Sequence, residues 1–129
     1  MGWETIKYFK PEEFDSPDLK GSGDHMNLNF VLTLDKLREA VGFPLLIVSG
    51  YRTKEHNDQV GGVDSSAHGL GLAADISARN SRVRFKIIRE ALRLGIHRIG
   101  IGFSFVHVDM DTSKPPSVAW MYPPVIKRT

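Results

Sequence analysis

Histidine and carboxylate side chains are the only strong metal-binding groups available to this chain, because its 129 residues include no cysteine. In Ser66-Ala67-His68-Gly69-Leu70-Gly71-Leu72-Ala73-Ala74-Asp75 a histidine sits in a glycine-flexed turn, and an aspartate follows seven residues later, inside or entering a strand. Gly69 and Gly71 let the backbone bend back closely, and the small Ala73 and Ala74 leave room for a metal and a substrate beside a sheet. His107, within Phe105-Val106-His107-Val108-Asp109, can bring a third ligand from a later strand. Two neutral imidazoles and one carboxylate suit a catalytic zinc ion, which takes three protein ligands and keeps a fourth position for water. Each residue also has an ordinary alternative, the histidine as a loop residue and the aspartate as a turn cap. Residue types alone leave both open.

The elements that must position these residues follow from periodicity. Pro11-Glu12-Glu13-Phe14 has proline and acids where a first helical turn wants them, and Ser16-Pro17 ends it. Gly21 to Asp24 reads as a breaker, after which Leu28, Val31, Leu32, Leu34, Leu37 and Val41 recur at helical spacing until Gly42-Phe43-Pro44. Leu45 to Val48 is a continuous apolar run and reads as a buried strand. Tyr51 to Val60 suits a short polar helix, and Gly61 to Ser66 a loop. A small-residue strand is expected over Leu72 to Ile76. A helix follows from Asn80, with apolar positions Val83, Ile87, Ile88, Ala91, Leu92 and Leu94, and Gly95 stops it. Ile99 to Phe103 and Phe105 to Met110 read as two further strands, the second half-buried, and the remainder with Pro115-Pro116 and Pro123-Pro124 as an irregular surface tail. This pattern predicts one α+β domain over residues 1–129, with a small, mainly antiparallel sheet, helices packed on one side and the zinc site on the sheet face.

Composition narrows the function classes. Hydrophobic residues make up 41% and charged residues 25%, which matches an ordinary globular domain rather than a disordered or fibrous chain. The apolar stretches are far too short to cross a bilayer of roughly 30 Å, so no transmembrane segment is expected. Met1-Gly2-Trp3-Glu4 lacks the basic start and apolar run of a secretory signal, which predicts synthesis in the cytoplasm without a signal peptide. Net charge is +2. The one basic run, Arg79, Arg82, Arg84, Lys86, Arg89 and Arg93, reads as the solvated face of an amphipathic helix rather than a nucleic-acid or teichoic-acid site, so no nucleic-acid partner is expected.

Ser66, His68, Gly71, Ala73 and Asp75, followed by Phe105-Val106-His107-Val108-Asp109, resemble the Ser-x-His-x-x-Gly-x-Ala-x-Asp signature and histidine strand of the zinc D-Ala-D-Ala carboxypeptidase family. Upstream, Ser49-Gly50-Tyr51-Arg52 resembles that family's third signature, so the likeness runs from residue 49 to 109 in family order. The family includes cell-wall carboxypeptidases, dipeptidases and phage or bacterial endopeptidases, and the hedgehog signalling domain is similar to it in fold. The resemblance implies zinc held by His68, Asp75 and His107, a substrate carboxylate or carbonyl paired with Arg52, and a substrate hydrogen bond from Ser66. It further implies hydrolysis of an amide bond in peptidoglycan stem peptides by a zinc metallopeptidase; a monomer is expected, and the missing export signal agrees with action on the cell wall after phage-type release or as a virion component. A zinc-binding wall or phage module without catalysis is the rival reading.

The sequence departs from the family at the general base. Many members carry Glu or Asp three residues before the second histidine, where this chain has Ser104. Asp109 is the replacement candidate: residues 107 and 109 share a strand face and stand roughly 6.5–7 Å apart at the backbone. Its alternative role is to orient a ligand histidine without exchanging protons. Asp64, Asp111 and His97 are weaker candidates, and His25 and His56 read as non-ligands, with His56 close enough to Arg52 to line a cleft. Tyr51, Trp120 and Tyr122 are expected to close the core rather than to wall a cleft.

Overall fold

The computed structural model describes residues 2–63 and 66–123. Asp64 and Pro124, named above, lie outside the described residues. Helix α1, Leu28–Val41, starts where the Asn27 side chain accepts from the Phe30 amide at 3.0 Å, and it stops at Gly42, whose φ of 79° is left-handed. Its buried stripe is Phe30, Val31, Leu34 and Leu37. The amide of Gly23 binds Asp15 at 2.7 Å, and residues 22–25, expected as a breaker, form a 3-10 turn. Helix α2, Lys54–Gln59, is capped by Thr53, and helix α3, Ser81–Arg93, by Asn80. Ile87 and Ala91 of α3 are buried, and α3 packs against α1 and the sheet.

Five strands, β1 Ile47–Ser49, β2 Ala73–Ser77, β3 Arg98–Ile101, β4 Phe105–Asp109 and β5 Val118–Met121, form one sheet in the order β1-β2-β4-β3-β5. All neighbours are antiparallel except β3 and β5. The α+β class with a mainly antiparallel sheet is thus what the chain adopts. Alternation divides the sheet cleanly. Ile47, Ile76, Val106 and Ile101 lie in register and face the helices, where Ile76 and Val106 are fully buried. The next row, Ser49, Asp75, His107, Gly100 and Trp120, faces the other way. An irregularity between Ile47 and Ser49 brings Ser49 into that row, as a bulge does when it re-aims a strand end.

Three strand expectations are corrected. The apolar run at residues 45–48 is an edge rather than a buried strand: Leu45 and Ile47 are buried, but Leu46 and Val48 are 64% and 61% exposed. Strand β4 is buried along nearly its whole length rather than half-buried: Val106 and Val108 sit in the core, while His107 and Asp109 on the other face are enclosed by the polar and aromatic side chains they contact. Residues 118–121, expected within an irregular tail, form β5; its parallel pairing to β3 draws on a partner distant in sequence, and Val118-Ala119-Trp120-Met121 carries no clear apolar alternation.

Gly71 ends the turn that carries His68. Its φ is 71°, and a Cβ there would lie 2.4 Å from the His25 carbonyl oxygen. Gly71→Ala is expected to lower the unfolding free energy by at least about 1–3 kcal/mol, the cost of a non-glycine left-handed residue. Gly69→Ala, whose Cβ would meet nothing nearer than the Arg52 carbonyl at 3.8 Å, should cost far less. Denaturant titration of both variants measures the difference.

Candidate metal centre

Three elements bring the ligands together. Ser66 opens the 3-10 turn Ala67–Leu70, its hydroxyl accepting from the His68 amide at 3.2 Å. The turn is tied to the Ser49-Gly50-Tyr51-Arg52 segment twice: the Arg52 amide donates to the His68 carbonyl at 3.2 Å, and His68 Nδ1 lies 2.8 Å from the Gly50 carbonyl. A carbonyl only accepts, so Nδ1 of His68 carries the hydrogen. Its Nε2 therefore turns toward Asp75, 3.3 Å from Oδ1. Asp75 and His107 are register partners across β2 and β4, and His107 Nδ1 stands 2.9 Å from the same Oδ1.

One ligand atom from each of His68, Asp75 and His107 lies within 4.8 Å of the others, and all three residues are buried. Neighbouring ligands on a tetrahedral zinc with bonds of about 2.0–2.1 Å are roughly 3.3 Å apart, so the cluster fits the ion with only small movements. It is the one such cluster among the described residues. It floors a cleft of about 510 Å³ whose walls include Arg52, Ser66, Trp120 and Tyr122.

Comparison with known families decides the relationship. The family model described as Peptidase M15 matches residues 7–109, most of the chain. The chain belongs to the M15 peptidase family. Members of this family are typically zinc-dependent, and the histidine, aspartate and histidine of the cluster are a donor set of that kind, so the chain is a metallopeptidase. A search among curated proteins finds no match.

Around the M15 ligands, charge is closely partnered. Burial opposes ionisation of Asp75, but hydrogen bonds from His107 and His68 outweigh it and hold the carboxyl well below the usual range. Burial likewise disfavours a charged His107, yet the carboxylates of Asp109 and Asp75 raise its pKa. Arg52 spans the cleft wall, with Nε 3.2 Å from Ser49 Oγ, one terminal nitrogen 3.3 Å from Asn57 and the other 3.5 Å from Asp75 Oδ2.

Asp109 lies behind the imidazole rather than in front of it. Its Oδ2 takes His107 Nε2 at 2.7 Å, on the ring edge away from Asp75, while Oδ1 takes Arg98 Nε at 2.7 Å and the Asp111 amide at 3.2 Å. Burial works against this carboxylate, and His107, the Asp111 amide and Arg98 together still hold its pKa low. Asp111 is engaged with Lys114 and Ser113, and its pKa falls to about 2. His97 and His25 are exposed and outside the cluster, and His56 is also outside it, on α2. Ser104 lines a separate groove with Arg79 and Phe103.

Two features escaped the sequence. Arg98 lies just before the strand expected from Ile99 and carries no sequence signal of its own; only the pairing of β3 with β4 places it opposite Asp109. Trp120 and Tyr122 stand 5.3 and 6.3 Å from the His107 ring and wall the cleft, correcting the expectation that they close the core. Gly100 makes this possible, since a Cβ there would lie 2.7 Å from Tyr122 and 2.9 Å from Trp120. Tyr51 does pack against the core, with His25 at 5.0 Å.

In metal-free protein the raised pKa of His107 contributes stability that is fully present below about pH 6.5 and lost as pH rises through the folded-state value. Zinc requires Nδ1 without its proton. The melting temperature in chelator should therefore fall as pH rises above about 6.5, while the increment added by zinc should grow; differential scanning calorimetry in both conditions checks the opposite slopes.

Proposed function

We propose that this M15 metallopeptidase hydrolyses an amide bond in peptidoglycan stem peptides, with zinc held by His68, Asp75 and His107. The observation that carries the reading is the convergence of three buried ligand atoms within 4.8 Å at the floor of a cleft wide enough for a peptide. Zinc bound there would supply a Lewis acid that polarises the scissile carbonyl and acidifies a water molecule. Arg52 keeps its guanidinium at the cleft wall, where the fork can take a substrate carboxylate or carbonyl in addition to its protein partners. Ser66 accepts from the His68 amide with one lone pair, and its hydroxyl hydrogen is the group that can donate to the substrate. Trp120 and Tyr122 offer flat apolar walls to the peptide. The enzyme acts as a monomer, within one domain, at the cell wall.

Asp109 we assign to positioning. With both oxygens engaged behind His107, it keeps hydrogen on Nε2 and so leaves Nδ1 to the metal. Arg98 fixes Asp109 in turn, lying 5.1 Å over the Trp120 ring and donating to the Pro115 carbonyl at 2.5 Å. A second reading has its own support: apart from Asp75 and Asp109, no carboxylate among the described residues lines the cleft to receive a proton, and Ser104 stands in another groove. That arrangement suits a zinc-binding wall module without turnover.

Incubation with purified peptidoglycan separates the two readings. The peptidase reading expects new amino and carboxyl termini in digested muropeptides by mass spectrometry, lost with chelator and restored by zinc; a zinc-loaded protein that releases none supports the inert module. Asp109→Asn should weaken zinc affinity by about 10–100-fold and retain most of kcat at saturating zinc. If Asp109 were the base, kcat would fall about 10²–10⁴-fold with zinc saturating.

A further inference from the structure

A second groove, of about 560 Å³, runs beside the metal cleft, and Tyr122 lines both. Its walls include Arg79, Arg84, Phe103 and Met121, and no carboxylate among the described residues lines it. Its guanidiniums differ from those further along α3. Arg89 and Arg93 reach Glu90 at 2.8 and 3.0 Å, so that end of the helix neutralises itself. Arg79 is exposed and has no acidic partner among the described residues. Arg84 donates one terminal nitrogen to the Phe103 carbonyl at 2.9 Å, which holds its guanidinium at the groove wall without an acidic partner among the described residues. Phe103 and Met121 are 83% and 78% exposed at the same place, an apolar surface that gains by being covered.

We propose that this groove is a subsite for an acidic residue of the peptide substrate, its carboxylate bound by Arg79 and Arg84 and its neighbouring carbons packed on Phe103 and Met121. The inference rests on the peptidase reading and specifies its substrate class. Arg79 follows Asp75 by four residues, at most roughly 13 Å along an extended chain, and its long side chain adds about half that again, so the recognised carboxylate lies within about six residues of the scissile bond. A guanidinium fork pairs a carboxylate through two parallel hydrogen bonds, which a carboxamide cannot match in charge.

Synthetic stem peptides carrying that acid free or as its amide test the assignment. The wild-type protein should favour the free acid at least tenfold in kcat/KM, mainly through KM, and Arg79→Gln should bring the ratio near one. Arg79 is the first choice for substitution because its exposed side chain makes no hydrogen bond or ion pair among the described residues; zinc content and melting temperature check that the variant is intact. Arg84→Gln, which also removes the bond to Phe103, serves as the second variant. Binding of the same peptides to zinc-free protein, followed by tryptophan fluorescence, reads the subsite without turnover. A tenfold binding preference that Arg79→Gln abolishes, found in a protein that never cleaves, would overturn the peptidase reading and leave the subsite standing. Cleavage of both peptides with equal KM, unchanged in either variant, overturns the subsite alone. Binding of a duplex DNA oligonucleotide more tightly than either peptide, lost in Arg79→Gln, would also overturn it by reassigning the groove to a polyanion.

Discussion

The register between β2 and β4 is the constraint on which the centre depends. Asp75 opposite His107 places one carboxylate oxygen 2.9 Å from an imidazole, and the same oxygen meets His68 from the turn that feeds β2. Because strand side chains alternate, a slip of one residue would send Asp75 among the helices and bring Ile76 or Ala74 to the cleft. The fully buried Ile76, Val106 and Val108 oppose that slip, since each would have to leave the core. The apolar face therefore holds the polar face in register, and the strands gain both functions from one alternation.

Charged groups beneath the cleft are tolerated because each has a partner. Asp109 is 2% exposed, and its two oxygens meet an imidazole and a guanidinium. Removing one member would leave a buried charge unpaired, which is far more costly than the pair itself is stabilising. This is a physical reason to read Arg98, Asp109 and His107 as a unit. Its members hold one another, and only the outermost nitrogen, Nδ1 of His107, is turned toward the ligands.

Much of this was legible in the chain. The helices were, because Leu34 and Leu37 on α1 and Ile87 and Ala91 on α3 repeat with helical spacing between Asn caps and glycine stops. The ligand trio was legible because His68 and Asp75 lie within a short glycine- and alanine-rich segment, and His107 in an alternating strand. The missing parts depend on which strands become neighbours. Leu46 and Val48 read as buried until β1 is known to be an edge, and Arg98 has no visible partner until β3 lies against β4. Trp120 is an ordinary apolar residue until its parallel pairing sets it over Gly100. Sequence periodicity reports which side of a strand is apolar, but not what stands opposite its polar side.

Charge balance connects the cleft to the kind of ligand it suits. Around the ligands, the carboxylates of Asp75 and Asp109 are offset by Arg52 and Arg98, while Asp111 and Lys114 pair with each other. With the histidines neutral, that environment is close to electroneutral before a divalent ion enters, and an ion of charge +2 then leaves it positive. Low-dielectric walls, here Phe105, Trp120 and Tyr122, strengthen such an imbalance relative to water. Anionic groups on an entering peptide are consequently drawn to the cleft, and Arg79 and Arg84 extend the same sign of charge into the neighbouring groove. A neutral chain would gain only the aromatic contacts, so the field of the whole face draws an acid in, while Arg79 and Arg84 in the groove tell it from its amide.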